Sequence, residues 1–134
     1  MGITAEYSDL LGKRFEYYGR GPDVFDCWGL VREYCKRAGV LLPDHSSTDD
    51  PAEQAVGIKK DADTYYIKVD EPEIYDIVLF QVIPRFVTHC GVYVGSGRFL
   101  QVTAKSNVAV EELESPIWKD KIRGFYRFKG NQCK

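Results

Sequence analysis

The sequence is poor in the side chains that build metal centres. It has two histidines, His45 and His89, and no two of its four cysteines, Cys27, Cys35, Cys90 and Cys133, stand in C-x-x-C spacing. Only His89 and Cys90 are close enough to suggest a shared ion, and neighbours on a strand point to opposite faces, so no metal site is expected. No run approaches the ~18 apolar residues that span a bilayer, which argues against membrane insertion. Met1 to Glu6 has neither the basic start nor the apolar run of an export signal. The chain is therefore read as cytoplasmic on synthesis, and action outside a cell would require delivery by something else. Charge of one sign is also missing: 18 Lys and Arg against 20 Asp and Glu leave a net charge of -2, too near neutral for a protein whose task is to hold a nucleic acid. There is no internal repeat.

What remains is ordinary globular material. With 134 residues, 44% of them apolar, the chain suffices for one hydrophobic core, and residues 1–134 are read as a single domain. The even cysteine count permits two disulfides, but a core of this size does not need them, so free thiols are expected. Charge is unevenly placed. From Asp44 to Asp76 ten acids face three lysines, a local charge of -7 that leaves +5 on the rest. This irregular acidic segment reads best as a solvated loop, with a lid or a partner surface as the other options.

Periodicity predicts an α+β chain with helices first and an antiparallel sheet after. Tyr7, Leu10 and Leu11 suggest a short helix from Ala5 to Phe15, with Thr4 as its cap. A second helix follows the glycine- and proline-rich turn at 18–25: Cys27, Leu30, Val31, Tyr34, Cys35 and Ala38 share one face, Asp26 can cap it, and Gly39 can end it. A short helix over Ala52–Gly57 and a strand over Thr64–Val69 are expected next. Ile77–Val82, His89–Val94, Arg98–Thr103, Val108–Val110 and Gly124–Phe128 complete the strands, with a helical turn at Trp118–Lys121.

The second helix puts Cys27 in its first turn, where backbone N–H groups favour a thiolate. Position alone is equally compatible with a small residue packed in the core. His89 begins a predicted strand after a loop, where its ring can sit at a sheet end and exchange a proton with a thiol, if the two meet. If Gly95-Ser96-Gly97 is the hairpin loop, Gly91 pairs with Gln101 and His89 with Thr103. Gln101 then lies diagonally beside His89, its amide oxygen able to accept the ring N–H. A two-residue turn would shift that register by one, and Gln101 would then be a polar strand residue.

Here the residues carry a resemblance. Leu11 to Gly19 followed by Phe25-Asp26-Cys27-Trp28-Gly29-Leu30-Val31, then Asp76 to Phe80, Thr88 to Gly95 and Gly97 to Gln101, resemble the nucleophile and base regions of the NlpC-type cysteine peptidases. These are papain-like cell-wall enzymes of bacteria and phages. The resemblance spans about residues 10–103 and implies the papain-like fold, with helices on a central antiparallel sheet and the nucleophile at a helix start. It implies Cys27 as nucleophile, His89 as base and acid, and Gln101 in the third polar position, commonly His. It implies no cofactor, a peptidoglycan stem peptide as partner and substrate, and cleavage between D-glutamate and a diamino acid. Trp28, where many cellular members have serine, resembles the subset carried by phage or prophage tails, which would make tail proteins partners and the virion tail the delivery route.

Three departures accompany it. Phe15 occupies the place of a family tyrosine that assists the oxyanion or substrate, and Tyr18 and Tyr75 stand where the family pattern has glycine. Tyr17 or Tyr18 is expected to supply the missing hydroxyl, and Trp28, Arg85 and Arg98 are carried as further substrate-side candidates. Two other readings stand beside the peptidase: a deamidase or acyltransferase using the same Cys-His pair, and a structural tail component with a weak or inactive site.

Overall fold

The computed structural model describes residues 5–44 and 48–130. A parallel pair of two-residue strands, β1 (Arg14–Phe15) and β2 (Val24–Phe25), precedes helix α1 (Cys27–Arg37). Helix α2 (Pro51–Tyr65) follows, then β3 (Tyr66–Val69), β4 (Ile77–Phe80), β5 (His89–Gly95), β6 (Arg98–Gln101), β7 (Ala109–Glu112) and β8 (Ile122–Phe128). The last six strands form one sheet in the order β3-β8-β4-β5-β6-β7, every neighbouring pair antiparallel. The α+β expectation is met.

Helix α1 forms where its pattern predicts. The Asp26 carboxylate accepts the Gly29 N–H at 2.7 Å, the N-cap bond that satisfies an orphan donor of the first turn. Leu30, Val31, Tyr34 and Cys35 are buried on one stripe. Just past Ala38, Gly39 adopts a left-handed φ of +84° and donates to the Lys36 carbonyl, closing the helix.

That stripe packs on one face of the sheet, against Ile77, Leu79, Cys90, Val92 and Leu100. The alternate residues Val78, Phe80 and Phe99 form a second cluster with Trp118, as period-two geometry requires. The buried Asp76 ties β4 to β8: its carboxylate accepts from Arg127 at 2.7 and 3.0 Å and from the Glu73 N–H at 2.7 Å.

The hairpin of β5 and β6 has the expected register by an unexpected route. Val92 pairs with Leu100 and Tyr93 with Phe99, but the turn is the two-residue Ser96-Gly97, both with positive φ. A bulge between Tyr93 and Gly95 absorbs the extra residue, so the one-residue shift of a two-residue turn does not reach the site end of the strands.

Two local expectations are corrected. The helix expected over Ala5–Phe15 is only a 3-10 turn at Ser8–Leu10 followed by β1, because Gly12 takes a φ of +86° and, of the proposed apolar face, Leu10 alone is fully buried. Thr4 lies outside the described residues. The helix expected over Ala52–Gly57 runs on to Tyr65. Pro51 opens it at a position where its missing N–H costs nothing, and Thr64, which locally favours a strand, instead donates to the Lys60 carbonyl one turn back.

Candidate active site

The first turn of α1 and the start of β5 meet at one end of the sheet. Cys27 is half-buried there, and two groups face its thiol: the Cys90 thiol and the His89 ring. A hydrogen bond from Cys90 is the main influence holding the Cys27 thiol well below the ordinary range. Burial opposes it, and His89 adds to the lowering through hydrogen bonding and charge. The helix N-terminus acts in the same direction. Cys90 is displaced the opposite way, because it donates to Cys27 and is itself buried. Of the two thiols, Cys27 ionises first. Cys35 has no such neighbours and is pushed up to about 12 by burial, an inert core thiol.

His89 is held on three sides. It is only 6% exposed, stacks on Trp118 with centroids 5.6 Å apart at 21°, and packs on Phe80 at 5.5 Å. Its Nε2 lies 3.2 Å from Oε1 of the fully buried Gln101. The Gln101 oxygen can only accept, so this contact favours the tautomer with the proton on Nε2, which leaves the other ring nitrogen unprotonated.

The residue before the cysteine is equally fixed. Asp26 receives, besides the cap bond, Arg20 Nη1 at 2.7 Å, and Arg20 in turn reaches Asp44 at 3.0 Å. The Gly19 carbonyl accepts the Asp26 N–H at 3.1 Å and lies so close to α1 that a Cβ on Gly29 would stand 2.1 Å from it. Only glycine allows that approach.

A cavity of about 300 Å³ opens onto Cys27 and His89. A thiolate-forming cysteine, an oriented imidazole and a cavity beside them constitute the means of acyl transfer.

The family model described as the NlpC/P60 family matches residues 12–127. The chain belongs to the NlpC/P60 family. Among its relatives, the Gamma-DL-glutamyl hydrolase of Bacillus subtilis is 30% identical over 129 residues, which is 94% of this chain and 29% of that protein. The Bifunctional muramidase/DL-endopeptidase CwlT of the same organism is 31% identical over 121 residues, 88% of this chain and 33% of that protein. The chain thus spans about a third of the length of these relatives. A solved NLP/P60 family structure from Staphylococcus aureus, described as similar to lipoprotein, superposes with a TM-score of 0.64 at 25% identity, covering 90% of this chain and 38% of that one. The architecture above is the papain-like fold of the NlpC/P60 family, with a cysteine at the N-terminus of α1.

The structure brings most of the sequence candidates together. Tyr17, Tyr18 and Trp28 line the cavity with Cys27 and His89. Phe15 lines it too, its ring edge-on to Tyr17 at 5.0 Å. Arg85 and Arg98 do not. Arg98 starts β6 at the hairpin end, paired with Glu112, and Arg85 sits in the loop bridged by Ile83 and Phe86. Arg98 therefore lies at the end of the sheet away from His89, whereas Arg85 belongs to the loop at the site end, whose Val82 and Thr88 line the cavity while Arg85 does not. The two tyrosines standing where the NlpC/P60 pattern has glycine both adopt left-handed backbone, with φ of +68° at Tyr18 and +81° at Tyr75. Glycine adopts that backbone without strain, which accords with the pattern the resemblance implies at those positions.

Three features escaped sequence reasoning. The acidic segment is no solvated loop along α2, which presents Glu53, Gly57, Ile58 and Asp61 to the cavity as a wall. Cys90 faces Cys27 together with His89, which strand alternation, placing these neighbours on opposite faces, did not suggest. Trp118, distant in sequence, stacks on His89, and no local signal announces that contact. No helix among the described residues is long and apolar enough to cross a membrane. Cys27, Cys35 and Cys90 are free thiols, while Cys133 and His45 lie outside the described residues.

Proposed function

We propose that the chain is a cysteine peptidase that hydrolyses peptidoglycan stem peptides, with Cys27 as nucleophile, His89 as general base and acid, and Gln101 orienting His89. The observation that carries this reading is the lowered Cys27 thiol at the start of α1, facing a histidine whose far nitrogen is bound by Gln101. The Cys27 thiolate attacks the scissile carbonyl, and backbone N–H groups at the start of α1 receive the oxyanion. The His89 imidazolium then protonates the departing amine, leaving a thioester. Water, deprotonated by His89, releases the acid and restores the thiol.

Tyr17 and Tyr18 are the substrate-side hydroxyls of this reading, compensating for Phe15, and Trp28 forms part of the same wall. The bond between D-glutamate and a diamino acid is the proposed target, supported by the glutamyl specificity in the name of the Bacillus relative. Delivery by a phage or prophage tail, with tail proteins as partners, rests on Trp28 following the nucleophile. The whole chain acts as one domain in this proposal.

The test is incubation of the protein and its Cys27→Ala variant with peptidoglycan from Gram-negative and Gram-positive sources under reducing conditions, with released fragments read by mass spectrometry. New peptide ends that depend on Cys27 are expected. Their masses identify the bond and separate hydrolysis from deamidation or acyl transfer. No cleavage by the folded protein over a range of pH would overturn the reading in favour of a different acyl substrate or an assembly role.

A further inference from the structure

A glutamine in the third position poses a problem that an imidazole or a carboxylate does not. The two ends of its amide have the same shape and opposite hydrogen-bonding character. With the oxygen toward His89, Nε2 of His89 keeps its proton and the other ring nitrogen is free to take the Cys27 proton. With the amino group toward His89, that preference reverses, the proton moves to the nitrogen facing Cys27, and the base is lost. Gln101 is fully buried, so water does not decide between these orientations.

The group that decides lies on the far side of the amide. Gln101 Nε2 donates to Ser106 Oγ at 3.1 Å. Ser106 is in turn held by a reciprocal turn with Thr103: the Thr103 N–H donates to the Ser106 carbonyl at 3.0 Å, and the Ser106 N–H to Thr103 Oγ1 at 2.9 Å. The two hydroxyl oxygens are 3.2 Å apart, and the Lys105 N–H also donates to Thr103 Oγ1, at 3.2 Å. Because Thr103 Oγ1 already accepts two backbone N–H groups, its own proton goes to Ser106 Oγ, which also accepts the Gln101 amino group, at the end of a chain of hydrogen bonds that runs His89, Gln101, Ser106, Thr103.

We infer that Ser106 is a positioning residue for the proposed reaction: it accepts from the Gln101 amide, keeps that amide's oxygen toward His89, and so keeps the His89 proton on Nε2. The inference rests on the cysteine-peptidase reading for its effect on turnover, but its effect on the histidine tautomer is independent of any substrate. Removing the hydroxyl leaves the buried amino group without this acceptor in the productive orientation and removes the bias between the two.

The experiment uses the full chain and its Ser106→Ala and Ser106→Thr variants. Ring-nitrogen NMR of His89 reads the tautomer, the rate of Cys27 alkylation by iodoacetamide reads the thiolate, and peptide cleavage gives kcat and KM separately. Wild type is expected to show protonation at Nε2. Ser106→Ala is expected to show a mixture of tautomers, slower alkylation and a kcat lower by about tenfold, the worth of one hydrogen bond, with KM unchanged. Ser106→Thr, which keeps a hydroxyl, is expected to restore all three. In a Gln101→Glu background both side-chain oxygens are acceptors, and adding Ser106→Ala there is expected to leave the tautomer unchanged. An unaltered His89 tautomer in Ser106→Ala would overturn the inference, as would a change in KM alone, or a change persisting in the Gln101→Glu background. If wild type cleaves no peptidoglycan, the functional reading fails while the NMR and alkylation measurements still decide the role of Ser106.

Discussion

Glycine to alanine inside a helix is ordinarily stabilising by about 1 kcal/mol, because alanine loses less backbone freedom on folding. Two helical glycines of this chain are expected to respond with opposite signs. At Gly57, in α2, an added Cβ meets nothing within 4 Å, so Gly57→Ala should gain close to the full ~1 kcal/mol. At Gly29 the same methyl would stand 2.1 Å from the Gly19 carbonyl oxygen and 3.1 Å from its carbon. Both are backbone atoms, tied by the Asp26 N–H and by Arg20, so relief requires α1 and the 15–26 segment to separate by about 1 Å. Overpacking costs about 1–3 kcal/mol, and an approach this close to backbone atoms belongs at the upper end, about 3 kcal/mol, which outweighs the propensity gain of about 1 kcal/mol and leaves a net loss of about 2 kcal/mol. For a chain of this size, about 0.3 kcal/mol corresponds to one kelvin, so thermal unfolding should fall by about 7 °C in Gly29→Ala and rise by about 3 °C in Gly57→Ala. Calorimetry and urea unfolding read both. The displaced helix start should also slow alkylation of Cys27 in Gly29→Ala and leave it unchanged in Gly57→Ala. Stabilisation of Gly29→Ala would refute the close approach on which the site geometry depends.

Cys90→Ala removes the main influence that lowers the Cys27 thiol. A lowered thiol is reactive at lower pH, so its loss should move the pH midpoint of Cys27 alkylation upward; a midpoint that stays put or falls would contradict the assignment. Asp26→Ala removes the N-cap, worth about 1 kcal/mol, and one partner of Arg20, worth about 1–2 kcal/mol because Arg20 keeps Asp44. Urea unfolding should show a loss of about 2–3 kcal/mol, and Asp26→Asn, whose oxygen still caps, should recover about half. Equal losses in the two variants would mean that charge, not capping, matters there. Replacing both Tyr17 and Tyr18 by phenylalanine should lower kcat by up to about 100-fold, the scale of one oxyanion donor, with stability nearly unaltered; full activity in that variant would remove both hydroxyls from the mechanism.

The parts of the molecule legible in its sequence are those specified locally. Asp26, the stripe from Leu30 to Cys35 and Gly39 encode α1 within fourteen residues, and capping, burial and closure agree there. The site end of the hairpin was legible although its turn was misjudged, since the bulge at Gly95 cancels the error before it reaches Gln101. Helix α2 was only half visible because no residue of it is fully buried, so it has little apolar stripe for periodicity to detect. Its role as cavity wall, and the stacking of Trp118 on His89, arise from contacts between distant segments and carry no local signature. Arg98 stands outside the cavity because proximity along the chain to a site strand is not proximity at the end of the strand where His89 lies, and Arg85, though its loop is at that end, is not part of the cavity lining.

The departures from the NlpC/P60 pattern fall where backbone and chemistry compete. A tyrosine in left-handed conformation costs about 1–2 kcal/mol that glycine would not, and the chain carries two. Tyr75 has a structural compensation: its hydroxyl accepts the Ala5 N–H at 2.8 Å, and its ring packs on Tyr34 at 5.3 Å. Tyr18 has no comparable burial. It is 56% exposed and stands on the wall of the cavity that opens onto Cys27. Strain without compensating packing, placed at a site, argues for use rather than for folding. The same wall holds Phe15, where the family's tyrosine hydroxyl is missing. A glycine relinquished at 18 and a hydroxyl relinquished at 15 are three residues apart on one cavity wall, so the aromatic surface has been rearranged rather than lost, and substrate selection is where this chain should differ most from its relatives.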